Sequence, residues 1–340
     1  MPDPWTWPLW LLAVAFLALT GVILVGGTAL TRKADEIAEI TGLSAALIGA
    51  MLLGATTSLP GTVLSIATAF QGYADLAIGN AIGGIVVQTA FLAVADMVHR
   101  RGNLEYAAAS ISTLMQSFLL VVMLALPLLA MNLPSVTVFA IHPLSPLLIA
   151  AYMAGLKLID RAERRPMWRP TPHVPETRGT DTEFPERAPW ASFALLVPIA
   201  GLAGFALGQV GVALADASGL SRTAVGAAFT AVVTSLPELV TAVAAVRRGA
   251  LQLAVGGIIG GNAYDVLFLA LSDVAYREGS LYHAFTPDHV LLMALSILMT
   301  AVLGLGMLKR DRFGPARIGF ESVLVLVLYG LSLVRLFVGG

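Results

Sequence analysis

The sequence predicts an all-α polytopic membrane protein, with ten transmembrane helices arranged as two inverted five-helix repeats. Three observations predict it. Hydrophobic residues make up 57% of the 340-residue chain and charged residues only 12%, with a mean hydropathy of +0.84; soluble domains carry roughly 25% charged residues. The basic residues fall in clusters that separate long apolar runs. And one 62-residue stretch recurs, without a gap, 177 residues further on.

A bilayer-crossing helix needs about 20 apolar residues. Read between charges, Gly and Pro, the candidate spans lie near 5–30, 43–70, 74–98, 105–130, 136–158, 190–215, 220–246, 250–275, 287–308 and 314–338. The first run has no Lys or Arg before it and an Asp at position 3. A cleavable signal peptide wants a basic start, so the run reads as a retained span, with Trp5, Trp7 and Trp10 as an interfacial aromatic belt. Pro127, Pro134, Pro143 and Pro146 interrupt the fourth and fifth spans. The segment 160–189 is rich in Pro and charge and lacks apolar periodicity, so it reads as a flexible linker. The chain therefore divides into a first membrane half, 1–158, a linker, 159–189, and a second membrane half, 190–340.

With the N-terminus outside and the spans alternating, Arg32, Lys33, Arg100, Arg101, Lys157, Arg161, Arg164, Arg165, Arg169, Arg178, Arg187, Arg247, Arg248, Lys309, Arg310, Arg312 and Arg317 fall inside. Only Arg222, Arg277 and Arg335 fall outside, which is 17 against 3 of the 20 Lys and Arg. The positive-inside rule selects this orientation: both termini outside, the linker cytoplasmic, and the protein integral to the plasma (cytoplasmic) membrane.

The recurrence pairs 43–104 with 220–281, and more than a third of the paired positions are identical. Matches include Thr57/Thr234, Ser58/Ser235, Pro60/Pro237, Gly83/Gly260, Gly84/Gly261 and Asp96/Asp273. Such a match is the mark of a duplicated unit. Five spans per half is an odd number, so the halves are inverted. That arrangement suits secondary transporters, whose substrate sites lie near the midplane between repeats.

Pro60 and Pro237 sit inside spans. Each removes a helix hydrogen bond and frees a carbonyl about one turn back, around Thr56–Thr57 and Val233–Thr234. Thr234, Glu238 and Thr241 fall on one helix face, as do Ser58, Thr62 and Ser65 in the twin. Glu238 and Asp265 stand mid-span with no basic residue near in sequence. A carboxylate there costs roughly 2.5–3.5 kcal/mol on insertion scales, a cost that marks function. Asn262 lies one turn before Asp265. Hard oxygens of this kind suit Na⁺ or Ca²⁺. Asp96 and Asp273 lie near span ends, where solvation by water is expected. The pairs Gly79/Gly83, Gly256/Gly260 and Gly257/Gly261 are expected to let helices approach closely. The chain has no Cys, which excludes disulfides and thiolate metal sites. It also lacks the H-E-x-x-H and G-x-S-x-G patterns of hydrolases, and no enzyme is expected.

The phrases "VTSLPE" (233–238) and "GGIIGGNAYD" (256–265), with "TTSLPG" (56–61) and "GNAIGGIVVQ" (79–88), resemble the two alpha-repeats of the calcium/cation antiporter superfamily, which includes the sodium/calcium exchangers. The resemblance implies a secondary active cation antiporter that works by alternating access. Glu238 and Asp265 would hold the metal ion, and Asn262, Thr234, Ser235, Thr57, Ser58, Asn80 and Gln88 would assist. The cargo would be Ca²⁺, Na⁺ or H⁺, with no cofactor; the partners are inorganic cations and the lipid bilayer, and no nucleic acid is implied. The pattern is incomplete. Gly61 stands where the family places its first-repeat Glu, Ile85 replaces an Asn, and Gln88 occupies the Asn/Asp position. Two readings therefore stand beside the leading one: a proton-coupled exchanger of monovalent cations, and a degenerate, non-transporting membrane protein.

Overall fold

Apolar runs punctuated by Gly and Pro leave the backbone one economical way to satisfy its polar groups in lipid, which is the helix. The structure, a computed structural model, describes residues 7–41, 54–99, 102–164, 189–309 and 319–338, and those residues are helical almost throughout. In chain order they form α1 (Leu9–Thr41), α2 (Gly54–Thr57), α3 (Leu59–Phe70), α4 (Ala74–His99), α5 (Leu104–Ala108), α6 (Ile111–Ala130) and α7 (Leu144–Arg164). There follow α8 (Pro189–Ser218), α9 (Arg222–Thr234), α10 (Leu236–Arg247), α11 (Leu251–Asp265), α12 (Leu267–Ala275), α13 (Pro287–Lys309) and α14 (Phe320–Val338).

Seven of the described helical runs are long and apolar enough to cross a membrane, and the bent pair α9–α10 makes an eighth. α11 and α12 together count as one of the seven. The two remaining expected spans fare differently. The run 43–70 is described only from Gly54, its first part lying outside the described residues. The run expected at 136–158 is α7, whose end continues through Lys157, Asp160, Arg161 and Glu163 to Arg164, past the expected start of the linker. Residues 165–188, most of the expected linker, lie outside the described residues.

Burial sorts the helices. Four-fifths of the apolar window of α4 is buried inside the protein, as is a similar share of α11–α12, whereas α1 buries only 11%. α4 and α11–α12 are therefore the centre, and α1, packed along α8, is an outer helix presenting Leu17 and Val25 outward. α4 rests on α9, α10 and α11, and α3 rests on α8 and α12. Elements of the first half thus pack against elements of the second throughout the centre.

Both prolines break their helices where expected. α2 ends at Thr57 and α3 begins at Leu59, with Ser58 between them at φ −86°, ψ 3°. α9 and α10 meet at Ser235, at φ −95°, ψ 0°, with a bend of 44°. Each bend is braced by a glycine. A Cβ on Gly27 would come within 2.6 Å of the Pro237 ring, and one on Gly204 would collide with the Pro60 backbone. These two contacts are themselves separated by 177 residues. The expected small-residue packing holds at Gly83, where a Cβ would collide with the Ala227 backbone in the π-helical part of α9, Val225–Thr230. At Gly257 no described residue comes within 4 Å of where a side chain would be.

Asp96 and Asp273 correct an expectation. Neither is solvated; both are 0% exposed. Asp96 accepts from Leu104 N (2.8 Å), Gly319 N (2.9 Å) and Ser322 Oγ (2.9 Å). Asp273 accepts from Leu281 N (2.9 Å), His142 N (2.8 Å) and Ser145 Oγ (2.7 Å). Each donor of the second set is its counterpart in the first shifted by 177 residues. Backbone N–H groups at helix starts replace water, which is how a buried carboxylate is satisfied.

Candidate cation-binding site

The two helix breaks face each other across the centre, and the middle of α4, the end of α11 and the start of α12 bring in the rest. Ser58, Gly61, Gly84, Gln88, Thr234, Ser235, Glu238, Asp265 and Phe268 line one small pocket, with Asn80 at its side. The polar lining groups are all at most 5% exposed. Seven of the nine residues expected from sequence line this pocket; Thr57, whose hydroxyl donates to Gly54 O at 3.2 Å, and Asn262, one turn before Asp265 on α11, do not.

The hydrogen bonds cross between the halves. Ser58 Oγ donates to Glu238 Oε1 at 3.1 Å. Gln88 Nε2 donates to Asp265 Oδ2 at 2.6 Å and to Ser235 Oγ at 3.2 Å. Gln88 and Asp265 are repeat counterparts, so the amide at one position holds the acid at the other. Asn262 Nδ2 donates to Thr89 Oγ1 at 2.9 Å, a partner that sequence patterning did not single out.

The unpaired atoms are more telling than the paired ones. Gln88 Oε1, Glu238 Oε2, Asp265 Oδ1 and Asn262 Oδ1 are buried and accept no hydrogen bond from the described residues. All four are acceptors. Buried polar groups are normally paired, and four oxygens short of a positive partner are the donor set a hard cation needs. Two carboxyls and, among the described residues, no basic side chain line the pocket, so a cation bound there meets no competing positive charge.

Asn80 does a different job. Its amide donates to Gly61 O (3.3 Å) and Ser65 Oγ (3.0 Å), and its oxygen accepts from Thr230 (2.9 Å) and Thr234 (3.4 Å). Nothing of the side chain is left to offer a cation. It clamps the α3 break, at the glycine, to α9. Thr62 and Thr241 also turn back, donating to the carbonyls of Ser58 (2.8 Å) and Pro237 (3.0 Å), so the polar stripes they belong to are only partly pocket lining. Asn80→Ala is expected to lower stability by about 1–3 kcal/mol, because it orphans buried partners. Thermal unfolding in detergent, compared with Asn80→Asp, checks this.

A family model described as sodium/calcium exchanger protein matches residues 11–156 and 188–338. The chain belongs to the sodium/calcium exchanger family. It is 27% identical over 304 residues to the inner membrane protein YrbG of Escherichia coli (strain K12), covering 85% of this chain and 87% of that one. It is 34% identical over 129 residues to the sodium/calcium exchanger MaX1 of Methanosarcina acetivorans, covering 36% of this chain and 33% of that one. Among solved structures, the sodium-calcium exchanger NCX_Mj superposes with a TM-score of 0.61 at 19% identity over 95% of this chain and 98% of that one. Native YfkE superposes with a TM-score of 0.65 at 15% identity over 98% and 93%. The last two show a shared fold. Members of this family are membrane transporters that move cations, not enzymes, and they work without a cofactor.

Proposed function

We propose that this exchanger carries its cation between Glu238 and Asp265. It would do so by alternating access of two inverted five-span halves, 1–158 and 190–340, in the plasma membrane, with both termini outside and the linker inside. The observation that carries the site is the set of unpartnered buried oxygens on Glu238, Asp265 and Gln88, all facing one pocket. Thr57, Ser58, Thr234 and Ser235 stand at the two helix breaks, where Pro60 and Pro237 cannot donate to the carbonyls of Thr56 and Val233. Those carbonyls and hydroxyls would complete a coordination shell. The contacts that recur with a shift of 177, at the glycine–proline braces and around Asp96 and Asp273, favour the two-repeat description.

The leading cargo is Ca²⁺ exchanged against Na⁺. Two carboxylates neutralise one divalent ion, or two monovalent ones in turn. One observation favours a second reading. The first-repeat acid is absent, and Gln88 places an amide N–H, not a charge, on Asp265. A site of only two acids also suits coupling of a monovalent cation to protons.

Proteoliposomes separate these readings. With an imposed Na⁺ gradient, uptake of radioactive Ca²⁺ is expected. Uptake driven only by a pH gradient selects the second reading. No gradient-driven flux of Na⁺, Ca²⁺ or H⁺ overturns both and leaves a non-transporting member of the family.

A further inference from the structure

The Asp96 corner holds more acid than its hydrogen bonds explain. Glu105, at the start of α5, and Glu321, at the start of α14, are both 0% exposed, as is Asp96 between them. Ser322 Oγ links Asp96 (2.9 Å) to Glu105 Oε1 (3.5 Å), and Asn103 Nδ2 donates to Glu321 Oε1 at 2.6 Å. Glu105 Oε2 and Glu321 Oε2 have no hydrogen-bond partner among the described residues. The site is built to receive the Glu321 carboxyl, because a Cβ on Gly306 of α13 or on Gly319 would occupy its place.

The twin corner shows that these two acids are not needed to hold such a corner together. Shifted by 177, Glu105 becomes Tyr282 and Glu321 becomes Leu144. There Tyr282 Oη sits 2.8 Å from Ser145 Oγ, and Asp273 keeps the same three donors that Asp96 has. One corner thus closes with one acid and a phenol, the other with three acids. A buried carboxylate without a partner is costly, so the extra pair needs a positive companion. Among the described residues, no group of three or more acidic, His or Cys side chains is arranged to hold a metal ion here.

A proton is the companion that fits. α5 lies between the spans α4 and α6, outside both. Burial, then the Asp96 charge beside it, then Glu321, hold the Glu105 carboxyl well above the usual carboxylate range. Among the described residues, the elements packed on α5 supply little against this. α4 brings Asp96 and, further on, His99. The titratable groups of α11 are Tyr264 and Asp265, at its cation-pocket end. On α13, Lys309 lies 4.9 Å over the Phe320 ring, and Asp288 and His289 stand at the opposite end.

We propose that Glu105 and Glu321 form a proton-binding site, separate from the cation pocket, in which one shared proton removes one of the pair's two charges and lets α5 close onto the start of α14. Deprotonation leaves three carboxylates in one dry corner, and their repulsion loosens that contact. The sign follows: the folded corner binds a proton that the unfolded chain has already lost, so stability falls as pH rises toward the folded-state value. The inference does not depend on which cation the chain carries.

Infrared spectroscopy of the purified protein in lipid tests it. At neutral pH, the wild-type minus Glu105→Gln difference spectrum is expected to show one protonated-carboxyl C=O band, which disappears as pH is raised. Adding saturating Na⁺ or Ca²⁺ at fixed pH is expected to leave that band in place. In parallel, the wild-type melting temperature should fall across the same pH range while that of Glu105→Gln stays flat. Absence of the band, its removal by either cation at fixed pH, or an equal fall in both melting curves overturns the proposal. Should Glu105→Gln fail to fold, Glu321→Gln is read against the wild type in the same way.

Discussion

Glu238→Gln is expected to abolish gradient-driven cation flux while leaving the protein folded. The side chain is 5% exposed, and its Oε1 accepts a hydrogen bond from Ser58 Oγ. Gln offers the same shape and one acceptor oxygen, so Ser58 keeps its partner. What is lost is a full charge facing the pocket through Oε2. At about 4 Å and an effective dielectric constant of about 20, a unit charge contributes about 4 kcal/mol to holding a monovalent cation. Part of that returns through the amide oxygen, so a fall of about two orders of magnitude in cation affinity is the expected result. Asp265→Asn should behave in the same way, with one difference. Gln88 Nε2 lies 2.6 Å from Asp265 Oδ2, so an Asn there must present its oxygen to Gln88 and its amide to the pocket, which repels the cation. Asp265→Asn is therefore expected to be the more severe. Equilibrium binding of Na⁺ and Ca²⁺, with flux in proteoliposomes, measures both. Flux that survives both substitutions removes the cation from this pocket.

These two acids were legible in the sequence because an isolated carboxylate in an apolar run has few innocent explanations. The helix breaks were legible for a similar reason: proline acts on its own helix, and the repeat printed it twice. What the sequence hid was long-range. Asn80 reads as a ligand by its chemistry, but its four partners come from α3 and α9 and leave it saturated. Asp96 reads as solvated by its position near a span end, yet its donors include Gly319 and Ser322, more than 220 residues away. Glu105 and Glu321 sit close to clusters of Arg and Lys in sequence, where an acid looks like ordinary surface charge. Only packing shows that both are buried. The 177-residue register, by contrast, runs further than identity alone reveals, since His142/Gly319 and Ser145/Ser322 occupy equivalent places around the two aspartates.

Gly61→Glu combined with Phe268→Leu tests what the missing acid does, and a gain in divalent affinity of about tenfold or more is expected of that double variant, since a third carboxylate would add attraction that scales with the charge of the ion. Position 61 lines the pocket, at the turn after Pro60 and opposite Glu238. Its backbone carbonyl is fixed by Asn80 Nδ2 at 3.3 Å. Space is the obstacle: a Cβ there would meet Phe268 Cε2 at 3.1 Å and Thr234 Oγ1 at 3.4 Å. Phe268 thus fills the volume an acid at position 61 would need, and the glycine and the ring act as a matched pair. The single substitution should therefore fold poorly or push its carboxylate away from the pocket. The double substitution Gly61→Glu with Phe268→Leu should seat it. The preference of Ca²⁺ over Na⁺ in equilibrium binding is the measurement. If the double variant folds and that preference does not move, the first repeat contributes only scaffold to the pocket, and the cation is held by the second repeat alone.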